Sequence, residues 1–160
     1  MSREIKPIKR SEQLAPLSRD HHEALLFVWK IRQGLKNGTD QKTIGQFVDW
    51  FWKSHLEAHF REEEQILAPW LPKENPLVQR MLNDHQEIEA MVHINEQIAD
   101  AALLEEMAGK INDHVRFEER ELFPFAEQQI PADRLDAIKE QLMAEVHSGS
   151  PWSNEFWLKK

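Results

Sequence analysis

The sequence predicts an all-α fold, an up-down-up-down antiparallel four-helix bundle with a short extra C-terminal helix. Three observations carry this expectation. Apolar residues recur every three and four positions through most of the chain, which is the spacing of one helix face. Glycine is scarce, at five residues, and runs of β-branched residues are nearly absent, so strands have little to build on. Four long periodic segments are joined by short connections, and short connections make neighbouring helices antiparallel.

The first helix, α1, is expected over about residues 18–36. Leu17, Ala24, Leu25, Val28, Ile31 and Leu35 form its stripe, and Asn37-Gly38 stops it. The second, α2, starts behind Asp40, a good N-cap residue, and runs to about Ala68 before Pro69. Asn75-Pro76 opens α3, an N-cap followed by proline at the first helical position, and α3 continues to about Ala99. Behind Asp100, α4 runs toward Ile130, with Pro124 expected to kink it. A shorter α5 follows Pro131, from about Ala132 to Val146. In the irregular tail, Trp152, Phe156 and Trp157 are expected to pack back on the bundle.

The 160 residues suit one domain, 1–160, with the bundle over about 14–130 and the C-terminal helix and tail over 131–160. At 41% hydrophobic and 30% charged, the chain can bury a single core and stay in solution. No apolar run approaches the ~18–20 residues that a membrane span needs. The start, MSREIKPIKR, has no apolar stretch of a secretory signal, so a cytoplasmic location is expected. The lack of cysteine excludes disulfides, thiolate zinc sites and iron–sulfur ligation. A net charge of −8, from 28 acidic and 20 basic residues, argues against nucleic-acid binding. Eight histidines against no tyrosine is the unusual pairing, and the histidine positions carry the information.

Those positions repeat. HFREEEQILAP, from His59, and HVRFEERELFP, from His114, align at an offset of 55; each has His-x3-Glu-Glu followed by leucine and proline. DHHE, from Asp20, and DHQE, from Asp84, align at an offset of 64. The chain thus reads as two helix hairpins, α1–α2 and α3–α4, each with one Asp-His and one His-x3-Glu-Glu.

Residues four apart share a helix face, about 6 Å apart along the axis. His59 with Glu63, and His114 with Glu118, therefore aim one imidazole and one carboxylate at a common point. Leu56 and Ile66 flank the first pair and Ile111 and Leu122 the second, so both pairs face the core. His59 and His114 each stand ten residues before a proline, Pro69 and Pro124, and His85 stands nine after Pro76. In an antiparallel bundle this puts all three about 13–15 Å from one end, and His21 lies early in α1, at that same end. Four imidazoles and two carboxylates suit two metal ions ~3.5–4 Å apart, with iron, zinc or copper all served by imidazole. Six protein ligands leave open positions, where dioxygen or a bridging oxide could bind. A lone histidine on an apolar face is usually only packed there. Two inward acids are harder to explain without a metal, because buried carboxylates are costly unless paired or metal-bound. Arg61, Arg116 and Arg120 lie on other faces.

This pattern resembles the hemerythrin family in its wider bacterial form, the HHE cation-binding domain, over about residues 14–130. Asp20-His21 is similar to the first-helix histidine, His59 and Glu63 to the second-helix His-x3-Glu, Asp84-His85 to the third helix, and His114 and Glu118 to the fourth. The resemblance implies two iron ions, oxo- or hydroxo-bridged, with His21 and His59 on one, His85 and His114 on the other, and Glu63 and Glu118 bridging. Zinc, or a single metal, is the alternative cofactor. Oxygen-carrying hemerythrins have a second histidine one turn before the third-helix ligand, where this chain has Met81. They also end with an aspartate five residues after the last histidine, where this chain has Glu118 at four. The four-histidine, two-glutamate set is similar to the di-iron domain of bacterial iron–sulfur cluster repair proteins.

Among the other polar residues, His22 points about 100° from His21, so one of the two should ligate, and His21 is chosen because it repeats His85. His55 reads as a packed or supporting residue with an extra ligand as the alternative, Glu89 as a candidate supplementary ligand, His93 as a packed side chain and His147 as surface. Glu62, Glu64 and Glu119 read as a solvated face. For Asp20, Asp84 and Asp113, two readings stay open: surface charge, or orientation of a neighbouring helix's histidine through its free ring nitrogen. Trp29, Trp50, Trp52 and Trp70 read as core and rim. Functionally, the expectation is a non-haem di-iron protein that binds or senses dioxygen, or another small diatomic or peroxide, or holds iron. The alternative is a di-iron enzyme or iron donor acting on peroxide or nitric oxide or in iron–sulfur cluster repair, and a bundle without metal is the third reading. Ferritin-like oxidases are disfavoured because no histidine has a glutamate three residues before it.

Overall fold

A computed structural model of the protein describes residues 10–145 and 151–158. Among them there are no strands, and the helices follow the predicted order. Helix α1 is Ala15–Lys36. It begins three residues earlier than predicted, because Pro16 falls in its first turn, where a missing N–H costs no intrahelical bond. Gly38 takes φ of 75° in the following turn, a left-handed conformation that glycine adopts without strain.

Helix α2 occupies residues 41–70 but is not uniform. It passes through Gln41–Phe51, a wider π-turn at Trp52–Leu56, Glu57–Glu62, a second π-turn at Glu63–Leu67, and a tight 3-10 turn at Ala68–Trp70. Asp40 stands at its N-cap without the side-chain hydrogen bond expected there. Helix α3 is Pro76–Gln97, where the Asn75 side-chain oxygen Oδ1 accepts from the Leu77 N–H at 2.8 Å, and it stops two residues short of the expected Ala99. Helix α4 covers residues 101–129 as Ala101–Phe117, a π-turn at Glu118–Leu122, and Phe123–Gln129; the Asp100 carboxylate caps it from 2.8 Å on the Leu103 N–H. Helix α5 is Ala132–Ala144. The expected end at Val146 lies outside the described residues, as does His147.

The π-turns explain how two prolines sit in long helices. Proline at position 124 removes an N–H and crowds the carbonyl one turn back. Here the preceding turn is opened instead: the Phe123 N–H bonds to the Glu118 carbonyl, five residues back. The same device precedes Pro69, where the Ala68 N–H bonds to the Glu63 carbonyl. The expected kink at Pro124 is therefore a π-turn, and the two π-turns that precede a proline each begin on one of the paired glutamates.

The core divides into two apolar clusters. One holds Ala24, Val28, Leu56, Ile88 and Ile111; the other holds Leu17, Leu67, Met81, Leu122 and Phe123. Along α1 the order is Leu17, His21, Ala24; along α3 it is Met81, His85, Ile88. The histidines thus mark the boundary, and a polar layer separates the two clusters. The tail packs on the first cluster as expected. Phe156 is buried, Trp152 and Trp157 lie half-buried beside it, and the Phe156 ring meets Phe47 at 5.1 Å. No described helix is long and apolar enough to cross a membrane.

Candidate metal centre

Each long helix contributes to the polar layer. His21, His59, His85 and His114 are all buried, and Glu63 and Glu118 are 0% exposed. Their donor atoms form two groups that could each hold a metal ion: His21, His59, Glu63 and Glu118 in one, and Glu63, His85, His114 and Glu118 in the other. Within each group all donor atoms lie within 4.8 Å of one another, and both glutamates belong to both groups. Each glutamate meets a histidine of its own helix and one from across the bundle. Glu63 Oε1 lies 3.2 Å from His59 Nε2 and 3.1 Å from His85 Nε2; Glu118 Oε1 lies 3.2 Å from His114 Nε2 and 2.8 Å from His21 Nε2.

The inward nitrogen is Nε2 in every case, because each Nδ1 is held by a carboxylate outside the centre. His59 Nδ1 donates to Asp20 at 3.0 Å and His114 Nδ1 to Asp84 at 2.9 Å. His21 Nδ1 donates to Glu119 at 3.0 Å and His85 Nδ1 to Glu64 at 2.7 Å. Such partners fix ring orientation and leave Nε2 as the donor atom toward a metal. Of the two readings for Asp20 and Asp84, the structure selects orientation of histidines. Asp113 is exposed. Glu64 is exposed, as expected of a solvated face, and Glu119 is half-buried, yet each also grips a histidine of a neighbouring helix, and Ser18 Oγ donates to Glu119 at 2.8 Å. The doubled Glu-Glu in both repeats was the available signal. Glu62 is buried as well, contrary to the same expectation.

Aromatic rings close the layer. Phe60 stacks on His85 with centroids 3.8 Å apart, and Phe123 stacks on His21 at 5.1 Å. Outside the layer, His22 is exposed, and Glu89 is exposed and pairs with His93 at 3.6 Å, so Glu89 does not supplement the donor set. His93 is likewise exposed rather than packed in the core. His55 is exposed, with its ring beside Trp50 and Phe51 at centroid distances of 5.4 and 5.3 Å. Trp52 is buried, Trp50 half-buried, and Trp29 and Trp70 are exposed.

The electrostatics describe a layer built for positive charge. Burial alone would push His114 down, but the charge of Glu118 and hydrogen bonds to Asp84 and Glu118 outweigh it and lift the imidazole to about 10. Burial is likewise overcome at His59, which is raised well above its ordinary value by Glu63 and Asp20, and at His21 and His85. Glu118 is held well below the usual carboxylate range: burial raises it, and the His114 charge, the contact with Glu63 and bonds from His114 and His21 outweigh that. Without a metal, each of these shifts favours the charged imidazole. His59 Nε2, His114 Nε2, Glu63 Oε2 and Glu118 Oε2 are buried and, among the described residues, no well-aligned hydrogen bond satisfies them; the two imidazole nitrogens have only the 3.2 Å contacts to the glutamate of their own helix. Buried polar atoms of this kind call for an ion or water. Imidazole and carboxylate without thiolate suit iron, zinc or manganese rather than a soft ion.

The fold and the layer define a class: a helical bundle with a buried set of cation-binding imidazoles and carboxylates at its waist. The chain belongs to the hemerythrin family, since the sequence profile of the Hemerythrin HHE cation binding domain matches residues 14–126. No curated protein and no solved structure matches the chain. Cation binding is thus the property that the family and the geometry share.

Proposed function

We propose that the protein is a non-haem di-iron protein that binds or senses dioxygen or a similar small ligand. In this reading His21 and His59 serve one iron, His85 and His114 the other, and Glu63 and Glu118 are shared. The observation that supports it is the sharing of both buried glutamates by two separate donor groups. One ion would leave two of the four imidazoles idle in a layer where unused polar atoms are costly. Six side chains divided over two ions also leave coordination positions for a small exogenous ligand.

When bound, a pair of irons supplies one-electron chemistry and a seat for dioxygen, peroxide or nitric oxide. The chain's own residues hold the histidine rings through Asp20, Asp84, Glu64 and Glu119, exclude bulk water with Phe60 and Phe123, and place two negative charges between the two sites. A cavity of about 260 Å³ lined by Asp20, Glu23, Phe51, His55, Leu56 and His59 lies against the α1–α2 side of the layer. It gives a small reactant a way in, which an enzyme acting on peroxide or nitric oxide would also need. Steady consumption of either, against formation of one stable adduct, separates the two readings.

Elemental analysis of protein purified without a histidine tag tests the proposal. Two irons per chain are expected, and His59→Ala with Glu63→Ala should lose them. Zinc in place of iron, or one ion per chain, would remove the redox role. No metal even after anaerobic iron loading would overturn the reading.

A further inference from the structure

The residues just before α1 reach back to the metal centre. Arg10 Nη1 donates to Glu127 at 2.7 Å, and Nη2 donates to the Glu119 carbonyl oxygen at 2.5 Å, with the Glu119 carboxylate 3.9 Å away. The Ser11 N–H donates to the other Glu127 oxygen at 2.5 Å. Helix α5, which gives no donor to the polar layer, holds the same segment: Lys139 donates to Glu12 at 2.7 Å and Gln13 donates to Asp136 at 2.9 Å. The Arg10 side chain is only 9% exposed, and its Nε is buried without a hydrogen-bond partner among the described residues. Taking a cation this far from water is costly, and an ion pair at the rim would not require it.

Both neighbours of that guanidinium bear on His21. Glu119 accepts from His21 Nδ1 at 3.0 Å and fixes the edge of the ring. Phe123 lies under the guanidinium at 5.2 Å and stacks on the face of His21 at 5.1 Å, 4° from parallel. The other hairpin has no such device. By the offset of 64 the place of Arg10 falls to Glu74, an exposed residue of opposite charge. Glu64, the counterpart of Glu119, ion-pairs with His85 alone among the described residues. No described cation lies over Phe60, the ring that stacks on His85. Arg10 and Ser11 also precede residue 14, where the match to the family begins, so the family's profile does not supply this contact.

We propose that Arg10 is a positioning residue for His21: its guanidinium holds Glu119 at the edge of the ring and Phe123 against the face, so that the segment before the bundle is part of the metal centre. The consequence for iron rests on the di-iron reading above; the hold on the ring does not. Arginine suits the task because one planar fork bonds two partners while its flat face covers an aromatic ring, which lysine cannot reproduce.

The test compares the wild type with Arg10→Gln, which keeps a polar side chain and removes the charge and the fork. Full-length protein with isotope-labelled histidine is loaded with zinc, a diamagnetic ion, and nuclear magnetic resonance reads solvent exchange of the four Nδ1 protons separately. Exchange at His21 should rise roughly tenfold, the factor that one hydrogen bond to a charged group carries, with His59, His85 and His114 unchanged. Apparent zinc affinity in a competition titration should fall about tenfold, the lower end of the effect of losing a histidine's partner, because Arg10 acts at one remove. Arg10→Lys keeps the charge without the fork and should not restore the slow exchange; restoration by it would overturn the two-partner hold. Should Arg10→Gln fail to fold, Glu127→Gln weakens the anchor of the guanidinium and should give the same change confined to His21. Four protons unchanged, or all four faster together as in a general loosening, would overturn the positioning role. A chain that never takes iron, yet shows the change confined to His21 in its zinc-loaded or metal-free form, would overturn the di-iron reading and leave the role of Arg10 standing.

Discussion

Removing the metal should give the protein an inverted response to alkali. In the metal-free chain His114 titrates at about 10 instead of its ordinary 6.5, because Glu118 and Asp84 outweigh the cost of burial. A raised folded pKa contributes stability that is complete below the unfolded value and is lost as pH climbs through the folded one. The relevant window therefore lies between 6.5 and about 10. From pH 6 to pH 9, one such imidazole forfeits about 3 kcal/mol. His21, His59 and His85 shift in the same direction but share the same two carboxylates, so one site's worth is the figure to use. For a chain of this size, about 3 kcal/mol lowers Tm by roughly 6–12 °C. Loaded protein should not follow, since a metal needs the deprotonated imidazole and holds it more firmly as pH rises. Differential scanning calorimetry on chelator-treated and iron-loaded samples at pH 6, 7.5 and 9 reads both trends. A chelated protein whose Tm is level or rising across that window would refute the protonated polar layer.

Two further outcomes follow from named contacts. Glu119→Ala frees the ring of His21 and should weaken metal binding about 10–100-fold in a competition titration, the usual effect of losing such a partner, while leaving the helical circular dichroism unchanged. Gly34→Ala would place a methyl group 2.6 Å from the Phe156 ring and 2.7 Å from its neighbouring carbon. That overlap should lift the C-terminal tail at a cost of about 1–3 kcal/mol, seen as a change in tryptophan emission with metal content unaltered.

Much of the site was legible because it is written twice. The offsets of 55 and 64 align His59 with His114, Glu63 with Glu118 and His21 with His85, and the structure brings all six together. The four long helices were equally plain, since apolar spacing reports which face is buried. The π-turns were not, because five residues of wider turn hardly disturb a three-and-four pattern. Proline six residues after each paired glutamate was the trace of two of them, and the turn at Trp52–Leu56 left none. The histidine contacts of Glu64 and Glu119 were missed for a different reason. They lie about 100° from the inward glutamates, and periodicity alone assigns that direction to solvent. In a bundle the same direction faces the next helix, and here that helix presents a histidine. Glu89 fails in the opposite sense: one turn from His85, it nevertheless emerges at the surface. Pairwise spacing along one helix does not say which side of a ligand the neighbouring helix covers.

The contacts that hold the outer ring nitrogens divide by topology. Asp20 to His59 and Asp84 to His114 join helices within one hairpin, whereas Glu119 to His21 and Glu64 to His85 join one hairpin to the other. Neither half can assemble a complete donor group alone, since each group draws a glutamate from the opposite hairpin. The centre is therefore a clasp between two duplicated pieces. A chain nicked in the short link between Trp70 and Pro76 would be a split protein whose fragments recombine most firmly when a metal is supplied.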